Sequence, residues 1–209
     1  MSSQFTFILA IILGAAVTVS AQSESIPAAA ESTVYGMVVF NSGGFRAGLE
    51  RSVRVLSKVA ENNSENEVAF VITYAGGEKI RLRQEATSDR LELADAIQNL
   101  YAEAGSGALL DAIKLASEQL IATRLGHDQT SSLVIATDGD TRDSAVKADE
   151  LLKYLLENKV RLHVLVIAGP RAKHDSLDRL IRGTGGKIYT YTDDPDATAD
   201  AISADIKVK

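Results

Sequence analysis

Short, dense apolar runs alternate along this chain with longer segments whose apolar residues return every third or fourth position. The first run, residues 34–40, ends abruptly at Asn41-Ser42-Gly43-Gly44-Phe45. A continuous apolar run bounded by small, turn-forming residues predicts a strand buried on both faces. Leu49, Val53, Leu56 and Val59-Ala60 then recur at helical spacing, so residues 46–62 are expected to be an amphipathic helix. A second dense strand follows at 68–74, and a short alternating stretch at 79–83 predicts a hairpin partner on the sheet edge. Asp89 with Glu92 three residues on marks a helix start, whose apolar face is carried by Leu91, Leu93, Ala94, Ile97, Leu100 and Tyr101.

The remaining elements are a helix at 108–124, a strand at 131–136, a helix at 144–158 and a strand at 160–168. A short helix at 175–182 is closed by Gly183 and Gly185-Gly186, a strand occupies 187–192, and Asp194-Pro195 opens the last helix. Strands separated by helices imply parallel pairing with right-handed crossovers. The predicted fold is α/β: a doubly wound, Rossmann-like, mostly parallel six-stranded sheet, helices on both faces, with 79–83 as its antiparallel edge. Ligands of such sheets bind outside the carboxyl ends of the strands, which places the turn after the first strand at the expected site.

Residues 5–19 are almost wholly apolar, and no charged side chain precedes Glu24. With Val19-Ser20-Ala21 as a cleavage point, residues 1–21 are expected to be a secretory signal and 22–32 a linker to a domain at 33–209. An uncleaved membrane anchor is the alternative; the apolar run is shorter than the roughly 20 residues that span comfortably. Secreted or periplasmic location follows, without stable membrane insertion after cleavage. The chain's 209 residues, 45% of them hydrophobic, suffice for one substantial core. Its net charge of -6 argues against a nucleic-acid partner, and the absence of cysteine excludes disulfides, thiolate metal sites and Cys nucleophiles.

Three small-residue loops fall on one edge of the predicted sheet: 40–45, 105–107 and 138–141. With the element order, they resemble a von Willebrand factor A domain, particularly the secreted bacterial versions, over about residues 33–208. The most specific stretches are 38–45, 105–112 and 133–139. The resemblance implies a metal-ion-dependent adhesion site: Asp-x-Ser-x-Ser after the first strand, a Thr in the second loop and the Asp of Thr-Asp-Gly in the third. Carried over by position, Phe40 stands where the first Asp belongs, Ser42 matches the first Ser, and Gly44 replaces the second. Gly107 occupies the Thr position, and Asp138 matches the last Asp.

Mg²⁺ takes near-octahedral oxygen ligation, usually with one or two carboxylates. Ser42 and Asp138 are what remains of such a set, so no cofactor is expected, with weak Mg²⁺ or Mn²⁺ binding at these two residues as the alternative. Ser42 has an ordinary reading as a turn hydroxyl and Asp138 as a loop cap. Asp111, at a helix start, is expected to be structural. The expected function is non-enzymatic binding of another protein through Asn41, Ser42, Phe45, Ser106, Asp138, Asp140 and Asp143, with Phe45 as an apolar contact.

An enzyme is the competing class. Asp138-Gly139-Asp140 resembles the nucleophile turn of haloacid dehalogenase-like phosphatases, but Arg142 replaces the usual Thr or Val, and the turn lies mid-chain. Gly105-Ser106-Gly107 follows a helix rather than a strand, unlike a dinucleotide loop, and no Gly-x-Ser-x-Gly elbow occurs. His127, His163 and His174 are scattered and read as ordinary surface or packed residues. Asn62-Asn63-Ser64 matches a glycosylation sequon.

Overall fold

Gly36 shows how tightly the sheet is drawn together. It sits in the middle of β1 (Thr33–Phe40), in register with Phe70 of β2 (Glu67–Tyr74) on one side and Leu133 of β4 (Ser131–Thr137) on the other. Partners in register point to the same face. A Cβ added at Gly36 would lie 2.7 Å from Phe70 Cε2 and 2.8 Å from Leu133 Cδ2. The two large side chains close over the glycine, which explains a residue that otherwise weakens a strand.

The structure, a computed structural model, describes residues 33–124, 131–167 and 175–207. The expected signal (1–21) and linker (22–32), His127, His174, residue 168 and the last two residues lie outside the described residues. The sheet order is β3-β2-β1-β4-β5-β6, with β3 (Ile80–Thr87) antiparallel to β2 and every other pairing parallel, including those of β5 (Val160–Val166) and β6 (Ile188–Thr190). Strand order reverses between β1 and β4, which opens a crevice at their carboxyl ends. Helices α1 (Arg46–Glu61), α2 (Arg90–Gln98) and α6 (Pro195–Ile206) pack together on one face. The other face carries α3 (Leu109–Thr123), α4 (Ala148–Glu157) and α5 (Asp175–Gly183). The α/β, doubly wound architecture read from the sequence is the observed one.

The helix starts carry the caps their sequences announce. Asp89 accepts from Leu91 N at 2.8 Å, and Asp194 accepts from Ala197 N at 2.9 Å with Pro195 in the first turn. Several boundaries differ from expectation, four of them for a visible local reason. Strand β3 runs on to Thr87 because register irregularities let Gln84 and Thr87 keep pairing with β2. Helix α2 stops at Gln98, where the Asn99 side chain donates to Asp95 O at 2.9 Å, so Leu100 and Tyr101 lie beyond it. Helix α4 begins at Ala148 rather than near 144, because the Asp111 carboxylate takes the amides of Ala145 and Val146 at 3.0 and 2.8 Å. Strand β6 is confined to Ile188–Thr190, shorter than the expected 187–192, with Tyr191 N making only a long 3.4 Å bond to Val166 O.

Gly36→Ala is expected to destabilise the domain by about 1–3 kcal/mol, the usual cost of overpacking a close-packed core. Urea unfolding reads this directly, and an unchanged midpoint would show that Phe70 and Leu133 can separate freely.

Candidate functional site

At the end of β1 the side chains part to the two faces of the sheet, Phe40 to one and Asn41 to the other. Phe40 is buried, and its ring lies 4.9 Å from Tyr74, its register partner on β2, and 5.0 Å from Phe45. Phe45 N donates to Ser42 O at 2.9 Å, closing a tight helical turn that folds its ring back over Phe40. Gly48 in the first turn of α1 makes room; a Cβ there would stand 2.6 Å from Phe45 Cδ2. Tyr74 extends the aromatic row to β4: its hydroxyl lies 2.8 Å from Thr137 Oγ1, which also accepts from Gly139 N at 3.0 Å. Burial pushes the Tyr74 phenol far above its ordinary range, so it stays protonated.

Asn41 ties this turn to the loop after α2. Its backbone N donates to Tyr74 O at 3.0 Å, and its carbonyl accepts from Glu103 N at 2.8 Å. The side-chain amide donates to Tyr101 O at 3.0 Å and Glu103 Oε1 at 3.4 Å. Gly43 N bonds Glu103 O at 2.7 Å, and Ser42 Oγ donates to Gly105 O at 2.6 Å. The loop is fastened from β3 as well: Arg83 pairs with Glu103, bonds Thr73 Oγ1 at 2.8 Å and lies 5.0 Å from the centre of the Tyr101 ring. Gly105 crosses so near β2 that an added Cβ would meet the Ala75 carbonyl carbon at 2.5 Å. Gly107 has φ of +134°, a backbone conformation L side chains rarely adopt.

The third loop is held by its own turn. Asp138 Oδ1 accepts from Asp140 N at 3.0 Å, and Asp140 accepts from Arg142 N at 3.0 Å while pairing with the Arg142 guanidinium. Ser144 Oγ accepts from Leu110 N at 2.9 Å, so the segment after this loop caps α3. Asp111 is structural, as its position predicts.

The expected binding residues therefore separate into two groups. Ser106, Asp138, Asp140 and Asp143 reach the surface or its margin, whereas Asn41 and Ser42 are buried fasteners. Phe45 corrects the sequence reading: only 9% exposed, it is packed on Phe40 and Gly48 and offers no apolar contact. Sequence reasoning missed Tyr101, Arg83 and Glu103. Tyr101, assigned above to a helix's apolar face, is 60% exposed instead. The signal that could have found it was Asn99, a helix-ending residue two positions earlier.

Two oxygens of the adhesion pattern remain, and both have local tasks. Among the described residues no three His, Cys, Asp or Glu side chains converge as metal ligands. The Phe40 ring occupies the position the pattern gives to a carboxylate, and Gly107 disfavours the branched Thr required there. Ser42 and Asp138 alone would leave most of the octahedral oxygen shell of Mg²⁺ to water. The aspartates suggested for a phosphohydrolase, Asp138 and Asp140, likewise spend carboxylate bonds on their own turn.

Comparison with known proteins bears on the whole of this arrangement. Among solved structures, BatB from Bacteroides thetaiotaomicron, described as a conserved hypothetical protein, is similar with a TM-score of 0.70 at 17% identity, over 84% of this chain and 97% of its own. An aerotolerance-related membrane protein from Bacteroides fragilis NCTC 9343, carrying multiple mutations to serines, gives 0.67 at 17% identity, over 84% and 98%. A von Willebrand factor type A protein from Catenulispora acidiphila gives 0.68 at 15% identity, over 84% and 42%. At these identities the likeness is one of fold. No curated protein matches the chain. The sequence pattern of the von Willebrand factor type A domain matches residues 37–204, and the chain belongs to that family.

Proposed function

We propose that this domain binds another protein through the loops that follow β1, α2 and β4, with no resident divalent metal. The observation that carries the reading is the Phe40 ring, stacked between Tyr74 and Phe45 where the family's adhesion pattern calls for a carboxylate. Around it the loops keep a fixed shape and expose Gly43, Gly44, Ala104, Gly105 and Ser106, a small-residue platform of accessible backbone. Domains of this family are generally non-enzymatic scaffold or adhesion modules, which agrees with a binding role.

Burial of Phe45 moves the anchor of the face to Tyr101. Tyrosine supplies large contact area at low conformational cost, and Arg83 stacked against the ring holds it in place. Asp138, Asp140, Asp143 and Arg142 form a charged rim on the other side of the platform. The domain's location is part of the proposal: it works outside the cytoplasm, delivered by the segment at 1–21. One similar structure is titled a membrane protein, and among the described residues no helix is long and apolar enough to cross a membrane.

Calorimetric titration with Mg²⁺ and Mn²⁺ is expected to show no saturable binding in the micromolar range. Such binding, abolished by Asp138→Ala, would overturn the metal-free reading. Quantitative pull-downs from native envelope and medium test the face. Tyr101→Ala and Ser106→Arg are expected to lower partner retention about tenfold or more, while Glu65→Arg, on the loop between α1 and β2, leaves it unchanged. Equal retention by all three would remove the face from the proposal. Phe45→Asp separates packing from binding. It places a charge beside Phe40, and is expected to cost at least about 3 kcal/mol of stability, whereas Tyr101→Ala costs under about 1 kcal/mol. Chemical denaturation of the two variants measures the difference.

A further inference from the structure

His163 lies in β5 with 2% of its surface exposed, and neither ring nitrogen has a hydrogen-bond partner. An imidazole carries a donor and an acceptor, so burying both unpaired is a cost the fold accepts only while the ring stays neutral. Its surroundings are charged on several sides. On its own strand stands Arg161; β4 contributes only Val134 in register. From the β6 side come Lys187 and the Tyr189 ring, whose centre is 6.3 Å away, and from α6 comes Asp205.

Asp205 is already engaged. It accepts from the Tyr189 hydroxyl at 2.5 Å and pairs with Lys187, so it joins α6 to β6. Burial works against the Asp205 anion, but the bonds from Lys187 and Tyr189 prevail and hold its carboxyl below the usual range. Strand β6 has little else: three residues in register with β5, at the sheet's edge.

We propose that His163 makes the β6–α6 edge acid-labile, so that protonation of its ring opens this edge while β1, β2 and β4 stay folded. In the closed edge the imidazole cannot take a proton without leaving a buried cation beside Arg161 and Lys187. In the opened edge it meets water and protonates as an ordinary histidine. Burial, the main cause, lowers the closed-state value to about 4 from an ordinary 6.5. A depressed histidine gives its full stabilisation above the free value and loses it as pH falls from 6.5 toward 4. The opening equilibrium therefore grows by about 20-fold between pH 7 and pH 5.

Amide hydrogen exchange on the purified domain, corrected for intrinsic rates, tests this at pH 7 and pH 5. Protection of amides in 188–206 is expected to fall by about 20-fold, with β1 and β4 amides unchanged. His163→Leu should abolish the difference. Uniform loss across the sheet, or the same pH dependence in His163→Leu, would overturn the proposal. Should that variant fail to fold, proton NMR of the wild type gives an independent reading. The His163 ring resonances should hold their neutral positions down to pH 5, and a folded-state midpoint near 6.5 would equally overturn it.

Discussion

The stack of Phe45 on Phe40 on Tyr74 is the constraint from which the carboxyl edge of the sheet takes its form. Each ring belongs to a different piece of chain: the turn entering α1, the end of β1 and the end of β2. Aromatic pairs at these separations contribute about 0.5–1.5 kcal/mol each beyond the area they bury. Tyr74 carries the stack onward to Thr137 and so to the third loop. One buried row thus sets the entry angle of α1 and the position of two loops.

A second system of bonds uses the space this row leaves. With Phe40 turned to one face, Asn41 turns to the other and reaches the loop after α2, where Tyr101 O and Glu103 accept its amide. Ser42 and Gly43 then extend β1 by a parallel bridge to Glu103. The hydrogen bonds are individually worth about 1 kcal/mol. Acting on one short loop from both β1 and β3, they leave Tyr101 little freedom beyond its own rotation. Gly105 is indispensable here for a steric reason, since the loop crosses Ala75 at backbone contact.

The order of elements was legible because apolar periodicity is a property of the local chain, and each of the strands read from it is present. The helix caps at Asp89 and Asp194 were legible for the same reason. What escaped depended on distant partners. Whether Phe45 faces water or Phe40 is decided by Gly48, whose missing Cβ leaves room for the ring, and by a turn that nothing in the local pattern specifies. Ser144 to Lys147 has helical composition, yet Asp111 and the free amide of Leu110, more than thirty residues earlier, claim its polar groups first. Tyr101 looked apolar in a helical window, and only the early stop of α2 exposes it. The loop positions that diverge from the adhesion pattern were readable; the use to which the vacated volume is put was not.

That use changes how the edge behaves electrostatically. A cluster of carboxylates around a divalent ion is stable only with the ion, because like charges a few ångströms apart repel strongly where solvent is scarce. Such a site couples loop position to metal occupancy. In the proposed metal-free reading, Phe40 stands in for the central carboxylate, and its packing on Tyr74 needs no ion to hold it. The aspartates that remain are dispersed into turns: Asp138 holds the amide of residue 140, and Asp140 holds Arg142. In the proposed binding role the loops are already fixed before a partner arrives, and such preorganisation lowers the ordering cost of binding. The histidine buried at the far edge obeys the converse rule. There the fold has sealed an ionisable group without a partner, and proton concentration rather than a metal sets how firmly that edge stays closed.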